Sequence, residues 1–251
     1  MKISSIFRFD LIGIRILKLY KIFFYPKIYF IIFKGIIPAF EHEKYLKSIK
    51  NINTLVDCGS NKGQFAILSF VINNYKNYIA FDPLLEPTKT KNFLNSNGVQ
   101  TFYKRLALSN KKEISNFFIT ERNDSSSLKK PNKLSSLYFS DVYEIKKVDV
   151  DVNKLDNFFE QIAVLQSPRI LKIDVQGNEF ELLEGSTKSL ILFEYLFIEC
   201  TYFGLYENIN HKTSEINDFL LKNNFLLIKE YNFVIRKGKL ISSDRLYKRS
   251  N

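Results

Sequence analysis

After residue 50, short apolar runs alternate with segments of helical length, and this alternation constrains the fold most. NTLVDCG precedes KGQFAILSFVINNY, NYIAFDP precedes EPTKTKNFLNSNG, RILKIDV precedes NEFELLEGSTKSL, and EYLFIEC precedes SEINDFLLKNN. Parallel strands need a crossover between them, so strands separated by helices predict a parallel, doubly wound, Rossmann-like α/β sheet. VQTFYKRLAL predicts a third strand and EISNFFIT a fourth, in hairpin relation to it. KKVDVDV (146–152) alternates like a further strand and LDNFFEQIA reads as a helix. FLLIKEY and SDRLYKR are the two late strands. In such sheets ligands bind at the carboxyl ends of the strands. Those ends carry Asp57, Asp82, Asp174 and Glu199.

The stretch LVDCGSNKGQFA (55–66) ends an apolar run in an aspartate and then sets two glycines four positions apart. A pyrophosphate-binding turn asks for G-x-G-x-x-G, so that backbone can approach two phosphates closely. Here only Gly59 and Gly63 are present, and the neighbouring strand ends carry acids. A sulfonium ligand with an ammonium and one carboxylate, S-adenosylmethionine, suits that charge pattern better. Its carboxylate can be received by the loop's N–H groups and the following helix N-terminus. Asp57 can face its ammonium, and Asp82, 25 residues on, can accept its two ribose hydroxyls. An ordinary tight turn is the plain alternative.

The first fifty residues differ in composition. They hold ten basic and three acidic residues, a net of +7 out of the chain's +11. Their uncharged runs fall far short of the roughly 18 residues of a membrane span, and Pro26 interrupts any helix. No unbroken apolar core followed by a small-residue cleavage site marks a secretory signal. On a helical wheel Arg8, Arg15, Lys18 and Lys21 share one side, and Ile12, Ile16, Leu19 and Phe23 the other. That pattern fits a helix in a membrane interface, and equally one packed on the domain or on a second subunit. The division is therefore a basic amphipathic helical extension over residues 1–48 and an α/β domain over 49–251. Cys58 and Cys200 lie in apolar runs, which points to buried free thiols and a cytoplasmic setting. His42 and His211 are isolated in sequence, so a His/Cys metal centre is not expected.

VDCGSNKGQF, AFDPL, NDSSSL, LKIDVQGNEFELLEGS, FIECTYFGLYE and SDRLYKR succeed one another in the order found in FkbM-type S-adenosylmethionine-dependent methyltransferases, which this chain resembles. The resemblance spans roughly residues 40–249, and LKIDVQGNEFELLEGS is its most specific block. It implies the mostly parallel seven-stranded methyltransferase sheet and methyl transfer to a hydroxyl. It assigns Asp57, Gly59, Ser60, Asn61, Gly63 and Phe65 to the donor loop, with Ser60 in place of the usual alanine. Asp82 stands where glutamate is commoner, followed by Pro83 as in the family, and Arg105 and Ala107 fall near the expected adenine segment. Asp174 and Glu179 match the block's acids, whereas Gln176 replaces a frequent glutamate.

A hydroxyl must lose its proton as it is methylated, so a base or charge-stabilising group is expected near the methyl. Lys172 and Asp174 lie at i and i+2 on one strand and share a face. Asp174 is the first candidate for the base, or a substrate or metal ligand. Lys172 is a candidate to stabilise an alkoxide, or else the two form a buried ion pair bracing the strand end. His211 is the alternative base. Glu199 and Tyr202 are placed to line the acceptor side, with Gln176, and Asp124, Ser125, Ser126 and Ser127 form a polar lid or a plain hydrophilic connection. Mg²⁺ at Asp174 is left open but not indicated.

The leading expectation is an O-methyltransferase acting on a sugar of a surface polysaccharide or lipid-linked glycan. The partner is then a glycan or another hydroxyl-bearing small molecule, with a peripheral contact at the inner membrane surface through residues 1–38. A homodimer is left open, and nucleic acid is not expected because residues 51–251 carry only +4. The alternatives are an RNA or protein methyltransferase, and a membrane-recruited, non-catalytic donor-binding module.

Overall fold

The computed structural model describes residues 22–250 apart from 85, 203 and 210. The predicted amphipathic helix with Arg8, Arg15, Lys18 and Lys21 lies outside the described residues. The segment from residue 22 to β1 is built of short pieces. Pro26 opens a tight turn at Pro26–Ile28, then come α1 (Tyr29–Phe33), a second turn at Phe40–His42 and α2 (Glu43–Leu46). Ile28, Ile31, Ile36, Phe40 and Leu46 are buried in the same core as Leu55 and Phe65, so residues on both sides of position 48 share one interior.

The strands are β1 (Thr54–Cys58), β2 (Asn77–Phe81), β3 (Gln100–Lys104), β4 (Ala107–Leu108), β5 (Glu113–Thr120), β6 (Glu144–Asn153), β7 (Arg169–Ile173), β8 (Tyr195–Thr201), β9 (Phe225–Arg236) and β10 (Lys239–Arg249). Seven form one sheet in the order β3-β2-β1-β7-β8-β10-β9. The first five are parallel, and β10 runs antiparallel to both β8 and β9. The α/β class with its mostly parallel seven-stranded sheet agrees with the expectation. The remaining helices are α3 (Gln64–Asn73), α4 (Thr88–Ser96), α5 (Lys133–Tyr138), α6 (Phe159–Ala163), α7 (Glu179–Glu184) and α8 (Thr213–Lys222).

Successive strand residues point to opposite faces, and both faces are covered. Leu55, Tyr78, Ile170 and Phe197 pack toward α3, α4 and the segment before β1. Val56, Ile79, Leu171 and Ile198 pack toward Ile162 of α6, Leu182 of α7 and Leu220 of α8. The late hairpin turns through Lys237 (φ 49°) and Gly238 (φ 72°), two left-handed residues whose twist suits a two-residue hairpin connection. The chain order reverses between β1 and β7, which is the switch point where a ligand crevice opens.

The expected hairpin between the third strand and EISNFFIT does not form. VQTFYKRLAL splits instead: β3 ends at Lys104, and Ala107–Leu108 leaves to pair with β6 in a second, three-stranded sheet ordered β4-β6-β5. The alternation of β6 explains the choice. Val150 and Val152 need an apolar cover, which Ala107 and Phe117 supply. β5 therefore pairs antiparallel with β6, Phe117 opposite Val148.

Candidate active site

The loop after β1 is shaped by backbone conformation. Gly59 (φ 76°), Asn61 (φ 46°) and Gly63 (φ 77°) are left-handed, which favours glycine and tolerates asparagine. A Cβ on Gly59 would lie 1.9 Å from the Asp174 carbonyl oxygen, and one on Gly63 would lie 2.5 Å from the Thr90 methyl. The loop's amides are largely committed to the fold. Gly59 and Ser60 donate to the Phe81 carbonyl at 2.9 and 3.2 Å, Gly63 donates to Ser60, and Asn61 donates to Asp82 Oδ2 at 2.9 Å. Few of the loop's amides are thus free toward the cavity, and the first turn of α3 follows directly at Gln64 and Phe65.

A cavity of about 450 Å³ opens above these strand ends, within the size range of small-molecule sites. Gly59, Ser60, Asn61, Phe65, Asp82, Pro83 and Ala107 line it, as do Ser126, Lys172, Asp174 and Gln176. One side is apolar, with Leu84, Leu106, Leu108, Phe117, Ile119 and Leu128. Glu41 and His42 also line the cavity.

Its electrostatics centre on one buried cation. Lys172 and Asp57 sit side by side in the β1–β7 register. The Lys172 ammonium donates to the Gly59 carbonyl at 2.7 Å and lies 3.2 Å from Asp57 and 3.3 Å from Asp174. Burial works against its charge, but Asp174 and Asp57 outweigh that and hold its pKa above the ordinary lysine value. Asp57 is fully buried and takes a hydrogen bond from Tyr78 at 3.2 Å; burial raises its carboxyl despite Lys172. It faces a lysine of this chain and is not among the residues lining the cavity.

Asp174, 37% exposed, opens into the cavity. Burial alone would raise its carboxyl, but Lys172 and hydrogen bonds from Glu199 and Gln176 hold it below the usual range. The Gln176 amide bridges Asp174 and Glu199 at 2.7 Å to each. Burial and the neighbouring Asp174 and Asp244 push Glu199 far up. Gln176 (φ 56°) and Gly177 (φ 94°) form a tight turn that Glu179 braces by accepting the N–H groups of Val175 and Gly177; burial pushes Glu179 up to about 7. Among the described residues no group of three or more His, Cys, Asp or Glu is placed to hold a metal ion.

Other expected residues lie elsewhere. Arg105 is exposed outside the cavity and reaches the Pro83 carbonyl at 3.4 Å. Gly63 packs on Thr90, and Glu199 stands behind Gln176. Ser125 is buried, its carbonyl accepting the Tyr206 hydroxyl at 3.0 Å, and Ser127 fastens the polar loop to the Gln176 carbonyl at 2.6 Å. Tyr202 and His211 line a second cavity, with Tyr206 and Arg245. His211 stacks on Phe180 at 5.0 Å and lies 3.9 Å from Glu181; burial lowers its pKa. Tyr202 is engaged by Glu230 and Arg245. The partition has a simple cause: Tyr206, bonded to Gln176 at 3.0 Å, stands between the two cavities.

Sequence reasoning misses His42 as a site residue, because nothing in its spacing marks it. The structure seats it against Phe65 and Phe197, with Nδ1 2.8 Å from the Tyr231 hydroxyl and 4.0 Å from Asp244. The cavity fits a cationic methyl donor on its own shape and charge. Gly59 is a cradle that a Cβ would fill, the lining carboxylates favour a cation, and most of the loop's amides are committed to the fold rather than free for a pyrophosphate.

A family profile described as "Methyltransferase FkbM domain" matches residues 57–233, most of the chain. No curated protein sequence matches it. Among solved structures it is similar to methyltransferase FkbM from Methylobacillus flagellatus KT, at 12% identity and a TM-score of 0.45, over 80% of this chain and 44% of that one. It is also similar to 1,6-didemethyltoxoflavin-N1-methyltransferase from Burkholderia thailandensis, crystallised with S-adenosylhomocysteine (9% identity, TM-score 0.44, 85% and 76% covered). A third is an rRNA methylase from Streptococcus thermophilus (13% identity, TM-score 0.44, 85% and 97% covered). The profile match settles the family: the chain belongs to the FkbM methyltransferases and is an S-adenosylmethionine-dependent methyltransferase.

Proposed function

We propose that the protein methylates a hydroxyl group of a sugar, in a surface polysaccharide or a lipid-linked glycan, at the cytoplasmic side of the cell. The observation that carries this reading is a carboxylate held below its usual range, Asp174, which opens into a cavity that His42 also lines. Amide, hydroxyl and carboxylate groups of Asn123, Asp124, Ser126, Gln176 and Asn178 line the polar side, a set suited to a hydroxyl-rich ligand.

Gly59 gives a methionine end close access to backbone, and α3 offers its first amides to the carboxylate. Asp82, at the end of β2, is the residue for the ribose hydroxyls, and Leu106, Leu108 and Phe117 offer an apolar wall to a flat base. When bound, S-adenosylmethionine supplies a methyl group on a sulfonium, open to in-line attack by an oxygen. Asp174 stabilises nearby positive charge, and its lowered pKa makes it a weak base. His42, whose Nδ1 lies 2.8 Å from the Tyr231 hydroxyl, lines the same cavity and is the candidate to take the hydroxyl proton. Lys172 has three acceptors of its own and serves to hold β1 and β7 together beneath the site.

Labelled donor, incubated with the protein and a lysate separated into glycan, RNA and protein pools, tests the reading. Label in the glycan pool, recovered as a methyl ether, is expected. Label confined to RNA or protein overturns it, and absence of donor binding heat at millimolar concentration points to a non-catalytic module instead.

A further inference from the structure

The segment leading into the cavity has an apolar outer face. Between residues 22 and 37 the isoleucines Ile28, Ile31 and Ile36 are buried. Phe23 is 78% exposed, Phe30 63%, Phe33 90% and Ile37 50%. Aromatic rings on a segment already anchored by other residues are not needed for its own packing. Cations accompany them. Lys27 and Lys34 are exposed, the Lys34 ammonium lies 4.1 Å above the Phe30 ring, and Lys89 of α4 donates to the Lys34 carbonyl at 2.7 Å. Residues 11–40 contain no Asp or Glu, and Glu86 beside α4 is paired with Lys91 at 2.6 Å. Protruding aromatic side chains ringed by ammonium groups match an anionic bilayer surface, rings in the headgroup boundary and ammoniums on phosphates. A second copy of the chain fits poorly, because face-to-face pairing would bring Lys27, Lys34 and Lys89 against their own kind.

The patch also borders the site. Ile37 is half exposed and lines the cavity, followed by Ala39, Glu41 and His42 on the same wall. We infer that Phe23, Phe30, Phe33 and Ile37, with Lys27, Lys34 and Lys89, dock the protein on an anionic lipid surface, so that the cavity mouth meets molecules held in the membrane. The docking stands on the patch alone; only the identity of what enters the cavity rests on the proposed methyl transfer.

The full chain is mixed with vesicles of phosphatidylcholine, with and without 30 mol% phosphatidylglycerol (roughly the anionic share that supports such electrostatic binding). The paired variants Phe30→Ser/Phe33→Ser and Lys27→Glu/Lys34→Glu are compared by co-sedimentation. Thermal melting checks their fold, and calorimetry checks donor binding. Expected are binding to the anionic vesicles that weakens with salt, and a loss of about tenfold or more in each variant with the melt unchanged. Absence of binding by the wild type, equal binding to neutral vesicles, or wild-type binding by the phenylalanine variant overturns the inference. So does a dimer in light scattering that Phe30→Ser/Phe33→Ser dissolves. Vesicle binding without donor binding supports the docking and overturns the methyl-transfer reading, whereas donor binding without vesicle binding does the reverse.

Discussion

Two groups of residues lining the cavity are built in different ways. Gly59 and Asp82 come from consecutive strand–loop–helix units, residues 57–65 and 81–84, with shape set by left-handed backbone. His42, Asp174 and Gln176 draw on four distant segments: the residues before β1, the end of β7, β8 and the hairpin β9–β10. The first group depends mainly on backbone conformation and close packing. The second needs a buried charge network in which Lys172, Asp174, Glu199 and Asp244 set one another's protonation. A local turn resists mutation until a side chain enters it, whereas the network responds to every change of charge.

The most severe break in this contrast is at Gly59. Gly59→Ala sets a methyl 1.9 Å from a backbone oxygen in a left-handed conformation. Expected are loss of donor heat in calorimetry and a destabilisation on the order of 3 kcal/mol in denaturant unfolding. Next is Lys172→Met, which leaves Asp57 buried and without its cation. A loss of about 3–5 kcal/mol is expected, shrinking as pH falls and the carboxylates take protons; a variant as stable as the wild type would show that the ion pair braces nothing.

His42→Gln sharpens the contrast, because it changes one of the side chains drawn from distant segments and leaves the glycine bend intact. Transfer to the glycan pool should fall about 10²-fold with donor affinity unchanged, while His211→Ala changes neither by more than about threefold. An equal loss in both variants would return the base to the second cavity.

The smallest effect is in pH dependence. Burial pushes Asp244 up to about 7, against an ordinary carboxylate near 4. A carboxyl raised by folding binds its proton more tightly in the folded state. Its contribution is complete below about pH 4 and is lost as pH rises through about 7. Asp174 runs the other way, contributing above its ordinary range and losing that as pH falls into it. Glu179, also raised to about 7, and Glu199 act in the same direction, so stability should decline between pH 4.5 and 8, with roughly 1–3 kcal/mol of the decline from Asp244, and Asp244→Asn should reduce but not abolish it in urea titrations at the two pH values.

Much of the fold is legible in the residues. The strand–helix alternation predicts the parallel sheet, and the strand-end acids locate its ligand edge, since both depend on local periodicity. EISNFFIT takes a different partner from the expected one because its Phe117 packs with Val150 and Val152 of β6, a contact that its own residues do not specify. His211 and Tyr202 stand close to β8 in sequence, yet Tyr206 walls them off from Gly59. The reverse holds for His42, which is distant in sequence from Tyr231 and Asp244 but packed beside them.

By itself the sequence determined what depends on neighbours along the chain: the α/β class, the glycine bend, the acids at strand ends and the basic, greasy amino terminus. Tertiary structure alone decided which charges meet. Lys172 is claimed by Asp57 across a strand pair, Glu199 is pushed up while Asp174 is held low, and His42 reaches the site from before the first strand. Coulombic and burial effects act through space, over a few ångströms, whatever the separation along the chain.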